Sequence, residues 1–403
     1  MQDFSQKMQF ALYKSAVLVY DMGYSENLLD TRARVRMGGR NMAKRKIGVL
    51  TGGGDAPGLN AVIYGLVRSC TETMDCEMIG YKFGYKGLYN NEFMPLTRET
   101  TSGILHRGGT ILGSSNKDNL FDYAIEENGV KVKKNVAHVA VENMKKEGVD
   151  VLCVLGGDGT LTSARDFARM GVNVIGVPKT IDNDLSATDT TFGFDTAVNI
   201  VVENLGRLHT TAESHHRVMV VEVMGRNAGW IALQSGIAGS ADVILLPEIP
   251  YSLDKVVDKI NERNNHGKPF TVIVVTEGAM EQGGQAVVGK VVADSPDPIR
   301  HGGIGAKIAS DLEGKVVNEI RSCALGHIQR GGETSAFDRV LSVRYAVKAA
   351  ELIEKNQFGN MVCLSNGQMS CVSLENVIGM NKYVTADHEL VNVAKKLGIS
   401  FGV

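Results

Sequence analysis

The stretch VDVLCVLGGDGTLTSARDFARMGVNVIGVPKTIDND, residues 149–184, decides the fold of this chain. It begins with an apolar run that ends in the glycine-rich turn GGDGT, a pattern typical of a buried parallel strand. Residues 161–169 then have the apolar spacing of a helix, and VNVIGVP (172–178) is a second apolar strand. Because two strands joined by a helix normally run parallel in one sheet, the stretch predicts a β–α–β unit.

The same unit recurs on both sides of this stretch. KIGVLT (46–51) leads through glycines into a helix over 59–68, and further strands are predicted at 217–225, 241–248 and 270–278. Alternating strands and helices predict an α/β fold with mainly parallel sheets. Ligands of such sheets bind at the carboxyl ends of the strands, where the glycine turns and polar motifs lie. The length of 403 residues suggests two domains.

Composition argues against nucleic-acid and membrane partners. The formal net charge is −2, so no field of the whole molecule would attract a polyanion. No apolar run reaches the ~18 residues that span a bilayer. The six cysteines form no CxxC pair, which favours free thiols in a reducing compartment. We therefore expect a cytoplasmic protein that binds anions through local clusters of cationic groups.

The first 41 residues differ in pattern from the rest of the chain. A short apolar segment at 8–20 is interrupted by Lys14 and followed by basic TRARVRMGGR (31–40). A signal peptide would have a cleaner apolar core and a small-residue cleavage site. Met42 directly precedes AKRKIGVLTGGG, which is a natural opening for a first strand. We interpret residues 1–41 as a dispensable extension, a hypothesis that mass spectrometry of the native N-terminus would test.

Two glycine-rich turns indicate phosphate binding. TGGGDAPGLN (51–60) follows a strand and precedes a helix, where backbone N–H groups can face a phosphate; a purely structural turn is the alternative. In GGDGT, the Asp158 carboxylate suits a Mg²⁺ ion that bridges nucleotide phosphates, although it could simply cap a helix. NAD kinases and diacylglycerol-type lipid kinases use a similar turn, so GGDGT indicates a phosphoryl-donor site without naming the acceptor.

PKTIDND (178–184) places two carboxylates, Asp182 and Asp184, at the end of a strand. Phosphoryl transfer needs one group that accepts the hydroxyl proton and another that positions a metal ion. One carboxylate serves both purposes poorly, because a bound cation lowers its basicity. A simple Asn/Asp turn is the alternative interpretation.

Cationic side chains lie in or beside two apolar segments, HHRVMVVEVMGR and RSCALGHIQRGG. Arginine forks bind a phosphosugar dianion through paired, charge-assisted hydrogen bonds. Any one of these groups alone could be a solvated surface charge or a structural histidine. The set consists of Arg217, Arg226, Arg321, His327 and Arg330.

These four blocks, in this order, resemble the phosphofructokinase family from about Lys44 to the C-terminus. PKTIDND, MGR (224–226) and LGHIQRGG (325–332) carry the resemblance in combination. It implies two doubly wound, mainly parallel α/β domains with the active site between them. The implied donor-binding domain comprises residues 42–193 and 329–379, and the implied sugar-phosphate domain comprises 194–328 and 380–403.

The resemblance implies transfer of a phosphoryl group to the 1-hydroxyl of fructose 6-phosphate, with Mg²⁺. Asp182 would accept the hydroxyl proton, and Asp158 and Asp184 would serve Mg²⁺. The other implied donor-site residues are Gly53, Asn116, Lys117, Gly157, Gly159 and Thr160, with Lys117 standing in as a point charge for a family arginine. The implied substrate-binding residues are Thr180, Ile181, Asp182, Arg217, Met224, Gly225, Arg226, Glu277, Arg321, His327, Ile328, Gln329 and Arg330.

Two positions bear on the phosphoryl donor. Enzymes of the family that use pyrophosphate usually carry Asp where this chain has Gly159, so glycine there favours ATP. Lys179 is typical of pyrophosphate enzymes, but a subgroup of ATP enzymes combines this glycine with this lysine. We predict ATP as the donor, with a pyrophosphate-dependent kinase as the alternative and a non-catalytic sugar-phosphate-binding subunit as a remote one.

The resemblance also implies an oligomer. Arg217 and Arg321 match family arginines that reach into the active site of a neighbouring subunit. An active site completed across an interface requires at least a dimer. We therefore expect a homodimer or homotetramer.

Overall fold

Residues 149–184 fold as the predicted β–α–β unit. The first strand ends at Gly156, the helix spans Asp158–Arg169, and the second strand, Val174–Pro178, pairs in parallel with the first. The helix begins at Asp158, whereas the apolar spacing predicted a start at Leu161. Because the first turn of a helix carries free N–H groups and a partial positive charge, the GGDGT motif lies at an end that favours anions.

The structure is a computed structural model that describes residues 44–127, 130–291 and 299–403, and the extension predicted at 1–41 lies outside them. No helix in this described part is long and apolar enough to cross a membrane. The strands are β1 (Arg45–Thr51), β2 (Cys76–Tyr81), β3 (Phe93–Pro95), β4 (Tyr123–Glu127), β5 (Val130–Lys134), β6 (Val151–Gly156), β7 (Val174–Pro178), β8 (Val218–Val223), β9 (Val243–Leu245), β10 (Thr271–Thr276), β11 (Val288–Val291), β12 (Ile299–His301), β13 (Ile320–Ala324), β14 (Asn360–Ser365) and β15 (Gln368–Ser373). The helices are α1 (Leu59–Thr73), α2 (Tyr85–Asn90), α3 (Ala137–Glu147), α4 (Asp158–Arg169), α5 (Phe194–His215), α6 (Trp230–Ala238), α7 (Leu253–Asn265), α8 (Ile304–Leu312), α9 (Ala336–Glu354) and α10 (Glu389–Lys396), with 3₁₀ turns at Gly326–Arg330 and Leu374–Asn376.

The first sheet has seven strands in the order β15-β14-β7-β6-β1-β2-β3. Its inner pairs are parallel, and the edge strands β3 and β15 are antiparallel to their neighbours. Side chains alternate across the sheet: Ile47 and Val49 of β1 pack with α1 and α9, whereas Leu50 packs with α2, α3 and α4 on the other face. Helices on both faces make this a doubly wound sheet.

The second sheet has four parallel strands in the order β13-β8-β10-β9. Met219 and Val221 of β8 pack with α5, α6 and α10, whereas Val218 and Val220 pack with α7 and α8. Both faces are again covered by helices, so the predicted fold class is confirmed. Both sheets belong to the unit Arg45–Val403, and the domain boundaries implied within it remain a prediction.

A buried carboxylate joins the helices of the two sheets. Asp338, in the first turn of α9, accepts hydrogen bonds from the backbone N–H (2.8 Å) and the hydroxyl (2.6 Å) of Thr196, in the first turn of α5. Burial raises the pKa of Asp338 to about 6, while the Thr196 hydrogen bonds oppose that shift. Since α9 packs on the first sheet and α5 on the second, this contact holds the carboxyl ends of both sheets in one arrangement.

Candidate active site

The PKTIDND segment turns sharply after β7 and buries its central residues. Asp182 donates its backbone N–H to Thr180 Oγ1 (3.0 Å), and Asn183 has a φ of 52°. Asn tolerates this left-handed conformation better than most residues. The side chain of Ile181 is buried in the apolar core beneath the turn. Only the backbone of Ile181 is therefore available to a ligand. Asp182 and Asp184 lie on either side of Asn183.

The environment of Asp182 gives its carboxyl group the properties of a base near neutral pH. Burial raises the pKa of Asp182 to about 7, and the charges of Asp184 and Glu277 raise it as well, against the opposing charges of Arg330 and Arg226. Among the described residues, no group donates a hydrogen bond to its buried Oδ1. An acceptor with a pKa near the operating pH is what general-base catalysis requires.

Asp158 and Asp184 are the residues that could hold a metal ion. Burial raises the pKa of Asp184, and the charge of Asp158 adds to this shift. Oδ1 of Asp158 accepts a hydrogen bond from the Gly379 N–H (2.9 Å). In residues 44–127, 130–291 and 299–403, no group of three or more His, Cys, Asp or Glu could hold a metal ion. Two carboxylates fit Mg²⁺, which commonly binds through one or two carboxylates plus substrate phosphates.

The glycines around GGDGT serve two different purposes. A Cβ on Gly52 would lie 2.5 Å from Thr160 Cγ2, and a Cβ on Gly156 would overlap the same side chain. These two glycines therefore make a slot for Thr160. Gly159, by contrast, has no atom within 4 Å of a hypothetical Cβ, and the nearest atom to one on Gly157 is a backbone oxygen at 3.3 Å. Open space lies beside Gly159, as expected for a site that admits a bulky phosphoryl donor.

The predicted donor-site residues Gly53, Asn116 and Lys117 lie close together. Gly53 has a φ of 77°, and its N–H donates to the carbonyl oxygen of Ser115 (2.9 Å). The resemblance directs this N–H at the phosphoryl donor, but here the Ser115 carbonyl already accepts it. Asn116 and Lys117 follow directly and are exposed. Their side chains can therefore reach a donor at the glycine turn, whereas the Gly53 amide must first leave Ser115.

Lys179 lies between the two loops of the site. Its ammonium group donates to the carbonyl oxygen of Gly54. Burial lowers the pKa of Lys179 to about 8 and the charge of Arg330 adds to this, while nearby carboxylates including Asp182 oppose the shift. The Arg330 guanidinium also occupies the place that a Cβ on Gly54 would take. Two cationic groups thus converge on the glycine turn beside Asp182.

The second sheet contributes the loops after β8 and β10. Arg226 has a φ of 49°, an unusual value for a residue with a side chain. Its backbone N–H donates to Glu277 Oε1 (3.1 Å), and its carbonyl oxygen occupies the place of a Cβ on Gly278. Burial raises the pKa of Glu277, and the hydrogen bond from the backbone N–H of Arg226 opposes this shift. The predicted residues Met224, Gly225, Arg226 and Glu277 therefore lie together at one corner of the second sheet.

The 3₁₀ turn Gly326–Arg330 orients its residues differently. The buried Gln329 accepts a hydrogen bond from the backbone N–H of Met224 through Oε1 (3.3 Å). His327 and Ile328 are exposed, and Arg330 points at Gly54 and Asp182. Gln329 therefore fixes the position of the Met224 corner, and the side chains of His327 and Arg330 remain the candidates for binding an anion.

Arg217 and Arg321 lie apart from the other predicted residues. Both pair with Glu319, Arg217 through Nε at 2.6 Å and Arg321 through Nη2. They lie toward the amino end of the second sheet, whereas Met224 follows the carboxyl end. At about 3.3 Å per residue, Arg217 and Met224 are roughly 20 Å apart. Within one chain, the two arginines are not brought to Asp182.

Sequence reasoning missed partners of the site that lie far from the motifs. Gly379 donates to Asp158, and Lys382 contacts the loop that carries Asp182 and Asp184. Both come about 200 positions after the residues they contact, and neither is part of a recognisable motif. Among the signals that a single sequence contains, none would have identified them.

Comparisons with known proteins agree with this arrangement. The phosphofructokinase family model matches residues 46–353. ATP-dependent 6-phosphofructokinase 2 of Clostridium perfringens is 67% identical over 359 residues, which cover 89% of this chain and 98% of that protein. The ATP-dependent 6-phosphofructokinase of Chloroflexus aurantiacus is 44% identical over 89% of this chain and 98% of its own. A pyrophosphate–fructose 6-phosphate 1-phosphotransferase of Amycolatopsis methanolica is 46% identical over 82% of this chain and 93% of its own.

Solved structures show the same fold. Phosphofructokinase of Saccharomyces cerevisiae superposes with a TM-score of 0.70 at 28% identity, over 82% of this chain and 45% of that chain. The pyrophosphate-dependent phosphofructokinase of Nitrosospira multiformis superposes with a TM-score of 0.73 at 19% identity, over 89% of this chain and 92% of that chain. At 19% identity, the second match is evidence for the fold alone. With the family model, the curated relatives and the site geometry in agreement, this chain belongs to the phosphofructokinase family.

Proposed function

We propose that this protein is an ATP-dependent 6-phosphofructokinase, which transfers the γ-phosphoryl group of ATP to the 1-hydroxyl of fructose 6-phosphate. The products are fructose 1,6-bisphosphate and ADP, in a step of glycolysis. The observation that carries the proposal is the buried Asp182 carboxyl, whose Oδ1 has no partner among the described residues, beside Arg226 and Arg330. Purified protein should form fructose 1,6-bisphosphate from ATP and Mg²⁺; binding of the sugar phosphate without turnover of any donor would favour the non-catalytic alternative.

The chemistry divides among the residues already described. Asp182 accepts the proton of the 1-hydroxyl as its oxygen bonds to the γ-phosphorus and the bond to the β-phosphate oxygen breaks. Arg226 and Thr180 stabilise the charge on the transferring group. Asp158 and Asp184 would hold Mg²⁺, which neutralises phosphate charge when bound.

The remaining predicted residues bind the two substrates. Met224 and Glu277 hold the sugar, and His327 and Arg330 bind its 6-phosphate. Gly157 to Thr160 and the exposed loop at Asn116 and Lys117 border the nucleotide.

The choice of ATP over pyrophosphate rests on Gly159 and on the relative with 67% identity. The open space beside Gly159 leaves room for the α-phosphate. Lys179, which resembles the pyrophosphate enzymes, is bound to the Gly54 carbonyl rather than directed into that space. The Amycolatopsis relative is the observation that favours pyrophosphate, and assays with the two donors side by side would separate the candidates.

A Gly159→Asp substitution should abolish most ATP-dependent activity without unfolding the protein. The space beside Gly159 accepts a side chain, and an acidic residue is tolerated in the first turn of a helix. A carboxylate ~4 Å from a phosphate costs about 4 kcal/mol at an effective dielectric of 20, so kcat/KM for ATP should fall about 10²- to 10³-fold.

The matched control for this prediction is Gly159→Asn, which has the same shape without the charge. The asparagine variant should retain much more activity than the aspartate variant. Equal losses would mean that volume, rather than charge, excludes the nucleotide. Full ATP activity in the aspartate variant would remove Gly159 from the donor site.

The rate should depend on the protonation of Asp182. Its pKa is raised to about 7 by burial and by neighbouring carboxylates, and only the deprotonated form accepts a proton. We therefore expect kcat/KM to fall on the acid side of pH 7, approaching about tenfold per pH unit. Substrate phosphates also titrate near pH 6, so the residual rate of an Asp182→Asn variant serves as the control. An acid limb that persists unchanged in that variant would assign the pH dependence to the substrates.

Assembly, location and domain division are further parts of the proposal. We propose a cytoplasmic homodimer or homotetramer in which Arg217 and Arg321 complete the active site of a neighbouring subunit. Their separation from Asp182 within one chain supports this arrangement. The donor domain (42–193 with 329–379) and the sugar-phosphate domain (194–328 with 380–403) then meet at the active site. Light scattering would measure the assembly, and cell fractionation would test the location.

A further inference from the structure

A C-terminal segment, residues 377–384, runs alongside the loop that carries the catalytic carboxylates. Lys382 donates its backbone N–H to the carbonyl oxygen of Asp184 (2.8 Å), and Ser186 donates to the carbonyl oxygen of Met380 (3.2 Å). Leu185 and Asn381 form an antiparallel bridge between these contacts. The segment therefore acts as a short additional strand against residues 184–186.

The ammonium group of Lys382 lies under this loop and donates to three oxygen atoms. These are Oδ1 of Asn183 (3.0 Å) and the carbonyl oxygens of Asp189 (2.9 Å) and Thr188 (3.2 Å). Three acceptors use the full donor capacity of an ammonium group. The indole of Trp230 closes the other side: its ring centroid is 5.6 Å from Lys382 Nζ, and its N–H donates to the Lys382 carbonyl oxygen (2.8 Å).

The loop above Lys382 adopts backbone conformations that need support. Asn183 and Ala187 have φ values of 52° and 61°. Alanine has no polar side chain to stabilise a left-handed conformation locally, so tertiary contacts must hold it. The carbonyl groups of the next two residues, Thr188 and Asp189, are two of the groups that Lys382 binds.

Asn183 links Lys382 to the two carboxylates, Asp182 and Asp184. Its side-chain oxygen accepts one hydrogen bond from the Thr191 N–H (3.2 Å) and one from Lys382. Asp182 and Asp184 flank it, so a rotation of Asn183 would move both carboxylates. Resting on the proposed function, we infer that Lys382 is a positioning residue, whose ammonium group holds the left-handed turn at Asn183 and thereby aims Asp182 and Asp184 at the substrates.

A Lys382→Met variant tests this inference, because it keeps the length of the side chain and removes its donors. Misplacing a catalytic group by about 1 Å can cost 10²-fold in rate. We expect kcat to fall about 10- to 10²-fold, with KM for both substrates within about twofold, since the three donors of the Lys382 ammonium group bind the loop at 183–189. Hydrogen–deuterium exchange should rise in peptides covering residues 183–191. Lys382→Arg restores a cation with several donors. It should recover part of the kcat and part of the protection of the loop from exchange.

Lys46→Met is the matched control. Lys46 is also partly buried, lies 5.8 Å from the ring centroid of Phe93, and pairs with Glu77 and Glu147 at the amino end of the first sheet. It should lower the melting temperature without changing kcat or exchange in the loop at 183–191.

Several results would overturn the inference. Unchanged kcat in Lys382→Met, exchange in the loop equal to that of wild type, or an equal loss of kcat in Lys46→Met would each do so. A wild-type protein without turnover would contradict the proposed function instead, and the exchange comparison would still decide whether Lys382 holds the loop.

Discussion

An Asp182→Asn variant should lose about 10²- to 10⁴-fold in kcat, the range for removal of a general base. The substitution keeps the shape of the side chain but removes its ability to accept the proton of the 1-hydroxyl. KM for fructose 6-phosphate should change much less, because Arg330, His327 and Glu277 supply the proposed binding contacts. Steady-state kinetics with ATP and Mg²⁺, at saturating and subsaturating sugar phosphate, would measure both values.

The surroundings of Asp182 explain why no neighbour should replace it. Asp184 lies across the Asn183 turn, and its charge raises the pKa of Asp182. Burial raises the pKa of Asp184 itself, while the Thr180 side chain opposes that shift. If Asp184 holds Mg²⁺, the cation lowers its basicity. Lys179 is nearby, but its ammonium group is bound to Gly54 and a cation cannot accept a proton.

Asp242→Asn is the matched control for this prediction. Asp242 is also a largely buried aspartate whose pKa is raised by burial, and it pairs with Arg263 (2.6 Å) at the amino end of the second sheet. The control should lose stability but keep its kcat. A kcat for Asp182→Asn within about tenfold of wild type would show that Asp182 does not remove the proton.

Mixing two inactive variants should restore activity. An Arg217→Ala/Arg321→Ala double variant should lose about 10²- to 10⁴-fold in kcat/KM for fructose 6-phosphate, because each charge-assisted hydrogen bond is worth roughly 1.5–3 kcal/mol. Consider a heterodimer of one Arg217→Ala/Arg321→Ala subunit and one Asp182→Asn subunit. One of its two active sites would carry both defects, and the other would carry neither. Equal mixing with subunit exchange should therefore restore about a quarter of the wild-type sites.

The double variant should lose activity without losing much folding stability, because neither arginine contributes strongly to the fold of its own chain. Both are paired only with Glu319 among their described ion pairs, at the surface, where such pairs contribute little stability. The control is the same mixture without subunit exchange, which should stay inactive. No recovery after verified exchange would mean that the arginines do not act across an interface in the proposed way.

The C-terminal segment adds a distant contribution to this site. Gly379 bonds to Asp158, and Lys382 bonds to the turn between Asp182 and Asp184. All three proposed functional carboxylates are therefore held, directly or through Asn183, by a segment about 200 positions away in the chain.

Local patterns determined much of what could be predicted. The β–α–β period and the glycine turns indicated the fold class, since the period of apolar residues reflects which face of each element is buried. PKTIDND identified Asp182 and Asp184 because a reaction requires particular groups at short, characteristic spacing. The same reasoning placed Asp158 correctly after a strand. It predicted the start of the following helix too late, because the glycines at 157 and 159 are not typical of a helix N-terminus.

The sequence by itself therefore determined the fold class, the family and the identity of the candidate catalytic carboxylates. Only the tertiary structure decided that Gly52 and Gly156 make room for Thr160, that Gln329 points inward while His327 points outward, and that Lys382 supports Asn183. The physical reason is the range of the interactions. Periodicity and motif spacing act along a few consecutive residues, whereas these contacts join side chains from separate strands and loops, which meet only after the sheets have assembled.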